Sequence, residues 1–277
     1  MKKVLLVVSL FLFSSILFAQ KIKISENELK TQLDAVLKEG NLLYKYVQAS
    51  LVAVDSALVN PIINKPYSFW SYFPYEDSEK IKIIIFVGNT PTCIAEYTFE
   101  DDFTKPKSVI IERRELTTKE KTLMDIRDKI VAQIRKPKYG LTFDWCFGCT
   151  MEFILIPDID SYKFYCIIRT TEHSEEDIIP FGNDYLFIAN KKGKIKRWYN
   201  FHSEFIPWHP IVDGNRVTEV SHSHLTTTPL VTATDICTFK LYAPLYDIDE
   251  FFVYSTALGK YMKYNWKKNE ILVISED

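Results

Sequence analysis

Two histidines set two residues apart, His222 and His224, with a carboxylate eleven residues further on at Asp235, are the side chains here whose types and spacing point to chemistry. Neutral imidazole nitrogens and a carboxylate oxygen hold divalent zinc, and three such ligands leave a fourth position for water. That count separates a catalytic zinc from a structural one, in which the protein closes all four positions. Val217 to His224 has the texture of a strand, so His222 and His224 share one face while Ser223 points away. A short loop and a helix from about Asp235 to Tyr246 then bring the carboxylate back toward them. The same residues also admit an architectural reading. Thr232 and Asp235 satisfy the S/T-x-x-D/E pattern of a helix start, where the acid does no more than neutralise backbone amides, and two strand histidines can stand idle.

The run His222-Ser223-His224, seven residues from Leu225 to Val231, then Thr232-Ala233-Thr234-Asp235 resembles the JAMM (JAB, MPN+) metalloprotease motif. The resemblance extends from Val217 to the C-terminus, because that family also runs from its aspartate into a helix and then a strand. It implies a Zn2+ ion on His222, His224 and Asp235 and hydrolysis of an amide or isopeptide bond in a peptide or protein substrate. It also implies a glutamate base on an earlier strand, for which Glu152 is the candidate, and a hydroxyl supporting the oxyanion, at Thr232. Glu172, Glu175, Glu176 and Glu204 are weaker candidates for the base. Thr232 stands where the family has serine, and Leu225 where proline is common. The alternative is an exported binding protein that keeps the JAMM-like fold without turnover.

The elements that must position these residues are legible upstream. Ser25 with Glu28 reads as a capping box opening a helix, with Leu29, Leu33, Val36, Leu43, Val47, Leu51, Val54 and Leu58 at helical spacing as far as Asn60-Pro61. Ile81 to Val87, Cys93 to Phe99 and Val109 to Arg113 read as strands. Thr117 with Glu120 opens a second helix ending at Pro137. Beyond it, Glu152 to Ile156 pairs with Phe164 to Ile168, and Tyr185 to Ala189 with Ile195 to Trp198; strands from Phe251 to Ser255 and Lys260 to Trp266 follow the Asp235 helix. The expected fold is α+β, a mixed β-sheet with flanking helices. An N-terminal α+β region, 20–136, precedes a JAMM-like metal-binding region, 137–277.

Lys2 and Lys3 ahead of the apolar run Val4 to Phe18, with Ala19-Gln20 as the cut, predict a secretory signal peptide over 1–19 and an exported, periplasmic or extracellular protein with no membrane span in its mature chain. About 258 residues remain, enough for a substantial core. Without those two lysines the chain has 32 basic and 36 acidic side chains, a balance that carries no nucleic-acid footprint. Trp145-Cys146-Phe147-Gly148-Cys149 resembles a redox motif, but Met151 to Ile156 reads as a strand where such a motif needs a helix. A disulfide or plain buried thiols account for the pair, and zinc on Cys146, Cys149, Cys166 and Cys237 lacks ligand spacing in its second half. His202-Ser203-Glu204 and Trp208-His209-Pro210 read as loop residues that can line a cleft. His173 among acids reads as a solvated loop.

Overall fold

The computed structural model describes residues 24–67, 69–88, 91–141, 148–171, 174 and 177–275. The expected signal peptide, Cys146, Glu172, His173, Glu175 and Glu176 lie outside them. The fold is mixed α+β, with four α-helices and several sheets among the described residues.

Helix α1, Glu26–Val59, begins where Ser25 accepts a hydrogen bond from the Glu28 amide, satisfying one of the backbone donors that a helix start leaves free. Length and apolar content would let α1 cross a bilayer, but in this fold one face of it, including Leu43, Tyr46 and Val47, is packed inside while Leu58 and Val59 are exposed. Leu43, Tyr46, Val47, Ala49, Ala53 and Ala57 enter a core that also holds Ile83 and Tyr97 from one sheet, Ile154 and Tyr165 from another, and Cys237. That core therefore draws on both sides of residue 136. The single turn α2, Pro61–Asn64, follows, capped by Asn60.

An antiparallel sheet orders Ser71–Asp77, Lys80–Val87, Thr92–Phe99 and Ser108–Ile110, with Arg114–Glu115 also on the third strand. The third strand expected over Val109 to Arg113 is thus two short pieces separated by 111–113. Helix α3, Thr118–Ile134, opens with the complete capping box of Thr117 and Glu120. A second antiparallel sheet runs Ile195–Asn200, Tyr185–Asn190, Ser161–Thr170, Cys149–Pro157. Cys149 thus lies at the start of a strand and is disulfide-bonded; Cys93, Cys166 and Cys237 are buried free thiols.

The C-terminal sheet carries the expected strand, helix, strand unit. Val220–His224 lies parallel to Glu250–Ser255, and helix α4, Ala233–Tyr246, makes the crossover. Lys260–Asn265 and Glu270–Ser275 complete the sheet antiparallel. Gly40 of α1 explains how α1 lies so close against α4. A β-carbon there would meet the Ile236 side chain at 2.7 Å and the Ala233 carbonyl at 3.1 Å, so only glycine lets the helices approach this closely. Lys240 adds a 2.7 Å bond to Asn41 of α1. The first turn of α4 is therefore fixed from behind.

Candidate metal centre

His222 and His224 point to one face of their strand, as the period of two requires, with the edges of Phe181 and Phe251 on the His222 ring at centroid distances of 5.3 and 5.1 Å. The two Nε2 atoms are 2.9 Å apart. Asp235, in the first turn of α4, brings a carboxylate oxygen to 3.3 Å from His222 Nε2 and the other to 3.4 Å from His224 Nε2. The three residues expected as ligands therefore converge. A fourth joins them: His202 Nε2 is 2.8 Å from His224 Nε2, 3.2 Å from His222 Nε2 and 3.5 Å from Asp235 Oδ1. Four donors about 2.0–2.1 Å from a tetrahedral ion stand roughly 3.3 Å from one another, which is the scale of these separations. Each residue offers one ligand atom, and all lie within 4.8 Å of one another.

Proton accounting favours a cation at the centre. His202 Nδ1 is 2.7 Å from Asp184 Oδ1, and His224 Nδ1 is 2.7 Å from the Leu230 carbonyl. Both partners only accept, so each Nδ1 bears the proton and, in a neutral ring, each Nε2 turns a lone pair inward. Two lone pairs 2.8 Å apart repel unless a positive charge lies between them. Asp235 is 1 % exposed, and its Oδ1 has no hydrogen-bond partner, an expensive state for a buried carboxylate oxygen. A single proton can answer one nitrogen pair. A metal ion satisfies three nitrogens and the orphan oxygen together.

The electrostatics are those of a desolvated, strongly coupled site. Burial works against a charged His202, but Asp184 and Asp235 outweigh it and lift the ring to about 9. His224 has no such neighbour on its own Nδ1; burial brings it down to about 4 against the opposing pull of Asp235. Burial would raise Asp235, yet the three facing histidines hold it well below the carboxylate range.

Asp235 also performs the capping role that the sequence left open. Its Oδ2 accepts from the Thr232 amide and hydroxyl, both at 2.8 Å, while its own amide donates to Thr232 Oγ1 at 3.1 Å. Oδ2 starts the helix while also lying 3.4 Å from His224 Nε2, and Oδ1 faces His222 and His202, so the two readings of Asp235 are compatible. Thr232, the expected oxyanion support, is 5 % exposed with its hydroxyl engaged in this cap. Glu152, the expected base, is not among the converging donors. Its carboxylate accepts from Tyr72 Oη at 2.5 Å and Arg169 Nε at 2.8 Å, between the first two sheets. Glu204 lines a cavity of roughly 520 Å³ that His202 and His224 also border, together with Trp198, Tyr199 and Ser223.

His202, expected only as a loop residue lining a cleft, stands twenty residues from His222, with no ligand spacing in the sequence to connect them. Asp184 carried no signal. The fold joins the two through the backbone: the Phe201 amide donates to the Asp184 carbonyl at 3.1 Å, and the Asn183 amide to the Glu204 carbonyl at 2.9 Å. Gly182, at φ +81°, makes that approach feasible, since a β-carbon would lie 2.2 Å from the Glu204 carbonyl oxygen. No family model, curated protein or solved structure matches the chain.

Proposed function

We propose that this chain is an exported metal-binding protein that holds one Zn2+ on His202, His222, His224 and Asp235, in a JAMM-like strand–loop–helix unit whose fourth position is occupied by protein. The observation that carries this reading is the unpartnered Asp235 Oδ1 facing three converging imidazole nitrogens. Three nitrogens and one oxygen at tetrahedral separations suit zinc better than the hard, oxygen-seeking calcium or magnesium. With four protein ligands the ion is structural, linking the loop of His202, the strand of His222 and His224, and α4. Export rests on the N-terminal charge and apolar pattern.

A second reading is favoured by the cavity beside His202 and His224. If His202 gives up its place, His222, His224 and Asp235 remain as the three ligands of a zinc-dependent hydrolase of amide or isopeptide bonds, acting on a peptide or protein. Glu152, tied to Arg169 and Tyr72, is poorly placed to serve it as base, whereas Glu204 borders the cavity.

Metal analysis of the purified mature chain tests the first reading. About one equivalent of zinc is expected, and none in the His222→Ala/His224→Ala double variant. Cobalt substitution separates the two readings. Intense tetrahedral bands indifferent to azide belong to a closed site, whereas bands that shift on azide addition belong to an open one. A wild-type chain that stays free of zinc after dialysis against it sinks both.

A further inference from the structure

A continuous polar chain runs from the fourth ligand to the first turn of α4. Asp184 Oδ1 takes His202 Nδ1, and its Oδ2 takes the Thr234 hydroxyl in a short hydrogen bond. Thr234 Oγ1 lies 2.8 Å from Thr232 Oγ1, but each hydroxyl spends its one proton on a carboxylate, Thr232's on Asp235 Oδ2, so the hydrogen-bonded linkage from His202 ends at Thr234. Asp184, Thr234, Thr232 and Asp235 are all at most 5 % exposed, so this linkage is shielded from competing water. It ties one proposed ligand, His202, to the helix turn that carries another, Asp235, from a segment distant in sequence. Asp184 is the only carboxylate in it, and both its oxygens are engaged by it.

We propose that Asp184 is the positioning residue that decides whether the ion has four protein ligands or three. The inference rests on the metal-binding reading above. His202 is the one ligand outside the strand–helix unit, carried by the segment between Ile195–Asn200 and Phe205–Trp208, and it borders the cavity. That unit meets its ring at Nε2, through the other proposed ligands, whereas Asp184 holds the Nδ1 side. Asp184 does so twice, by selecting the tautomer that leaves Nε2 free to bind and by bracing the ring against Thr234 on the helix that presents Asp235. A carboxylate behind a ligating imidazole both orients it and strengthens it as a donor, and its loss commonly costs 10–100-fold in metal affinity. Without Asp184, His202 is released toward the cavity and its coordination position opens.

The test compares wild type, Asp184→Ala, Asp184→Asn and His202→Ala by competitive zinc titration and by the spectrum of the cobalt-substituted protein. Asp184→Ala is expected to weaken zinc by 10–100-fold and to make the cobalt bands respond to azide. His202→Ala is expected to do the same, with little further loss in the double variant, because both changes remove one ligand. Asp184→Asn keeps an acceptor for Nδ1 and a donor for Thr234, and should recover most of the affinity. Wild-type affinity and azide-indifferent bands in Asp184→Ala overturn the inference while leaving the metal site standing. A wild-type chain that binds no zinc overturns the site itself. If Asp184→Ala does not fold, Thr234→Val removes only the brace; a several-fold loss with partial azide response supports the role, and unchanged binding refutes it.

Discussion

The molecule buries acids in two different ways. Glu120, with no exposed surface, accepts from Tyr75, from both Arg114 terminal nitrogens and from the Thr117 amide at 2.7–2.9 Å, so each oxygen has donors. Glu152 is likewise completed by Tyr72 and Arg169. Asp235 is as deeply buried, yet its Oδ1 has no hydrogen-bond donor and faces the Nε2 atoms of His202 and His222. A carboxylate whose donors belong to its own chain is architecture. One left incomplete beside converging imidazoles is what the proposed metal site would complete.

The sharpest way to break that contrast is to remove the proposed ion. Zinc at about a thousandfold above its dissociation constant adds roughly 4 kcal/mol to stability. Chelation should therefore lower the melting temperature by about 10 °C, reversibly on zinc addition, given the few degrees per kcal/mol typical of chains this size. A melting curve indifferent to chelator would place Asp235 with the completed acids. The next largest effect is expected at Arg114, whose guanidinium spans Glu96 and Glu120 at 2.6 and 2.8 Å. Arg114→Ala strands a buried charge and should cost roughly 2–4 kcal/mol, discounted because the arginine is partly exposed, with zinc stoichiometry unchanged. Loss of zinc in that variant would mean that the two regions are not separable.

The smallest effect is a pH dependence. Burial would raise Glu120, but Arg114, the Thr117 amide and Tyr75 outweigh it and hold the carboxyl at about 2, against an ordinary 4.5. Because the folded value is the lower one, its contribution of roughly 1–3 kcal/mol is present above pH 4.5 and fades as the pH falls through 2. Denaturant titrations of the chelated protein should lose this increment in wild type and not in Glu120→Gln. Equal slopes in the two would remove Glu120 from the account.

Local signals in the sequence were read well where one segment contained the whole cause. The capping box at Thr117 appears as expected and Ser25 caps α1 through the Glu28 amide, because a helix start needs only neighbours three residues away; the apolar period of α1 is buried at Leu29, Leu33, Leu43 and Val47 but not at Leu58. His222, His224 and Asp235 were legible for the same reason, since a strand face and a following helix turn bring them together within one unit. His202 and Asp184 were not, because they depend on the turn at Gly182 and on the pairing of Ile179–Gly182 with Phe205–Trp208, a contact between strands too short to show a period. The assignment of a base to Glu152 followed the order of elements and took no account of Arg169, which faces it across a pair of strands only once the register is set.

The glycine that lets α1 rest on α4 also orders events in time. Asn41 and Lys240, bonded beside it, are 199 residues apart in sequence, so α1 must wait for a distant part of the chain before it meets its cover. Until then an apolar surface meant for the interior stands open, a slow long-range closure of the kind that invites self-association. Chaperone holding of the unfolded chain is the natural remedy, and Gly40→Ala should lengthen the vulnerable interval as well as force α1 and α4 apart in the finished protein.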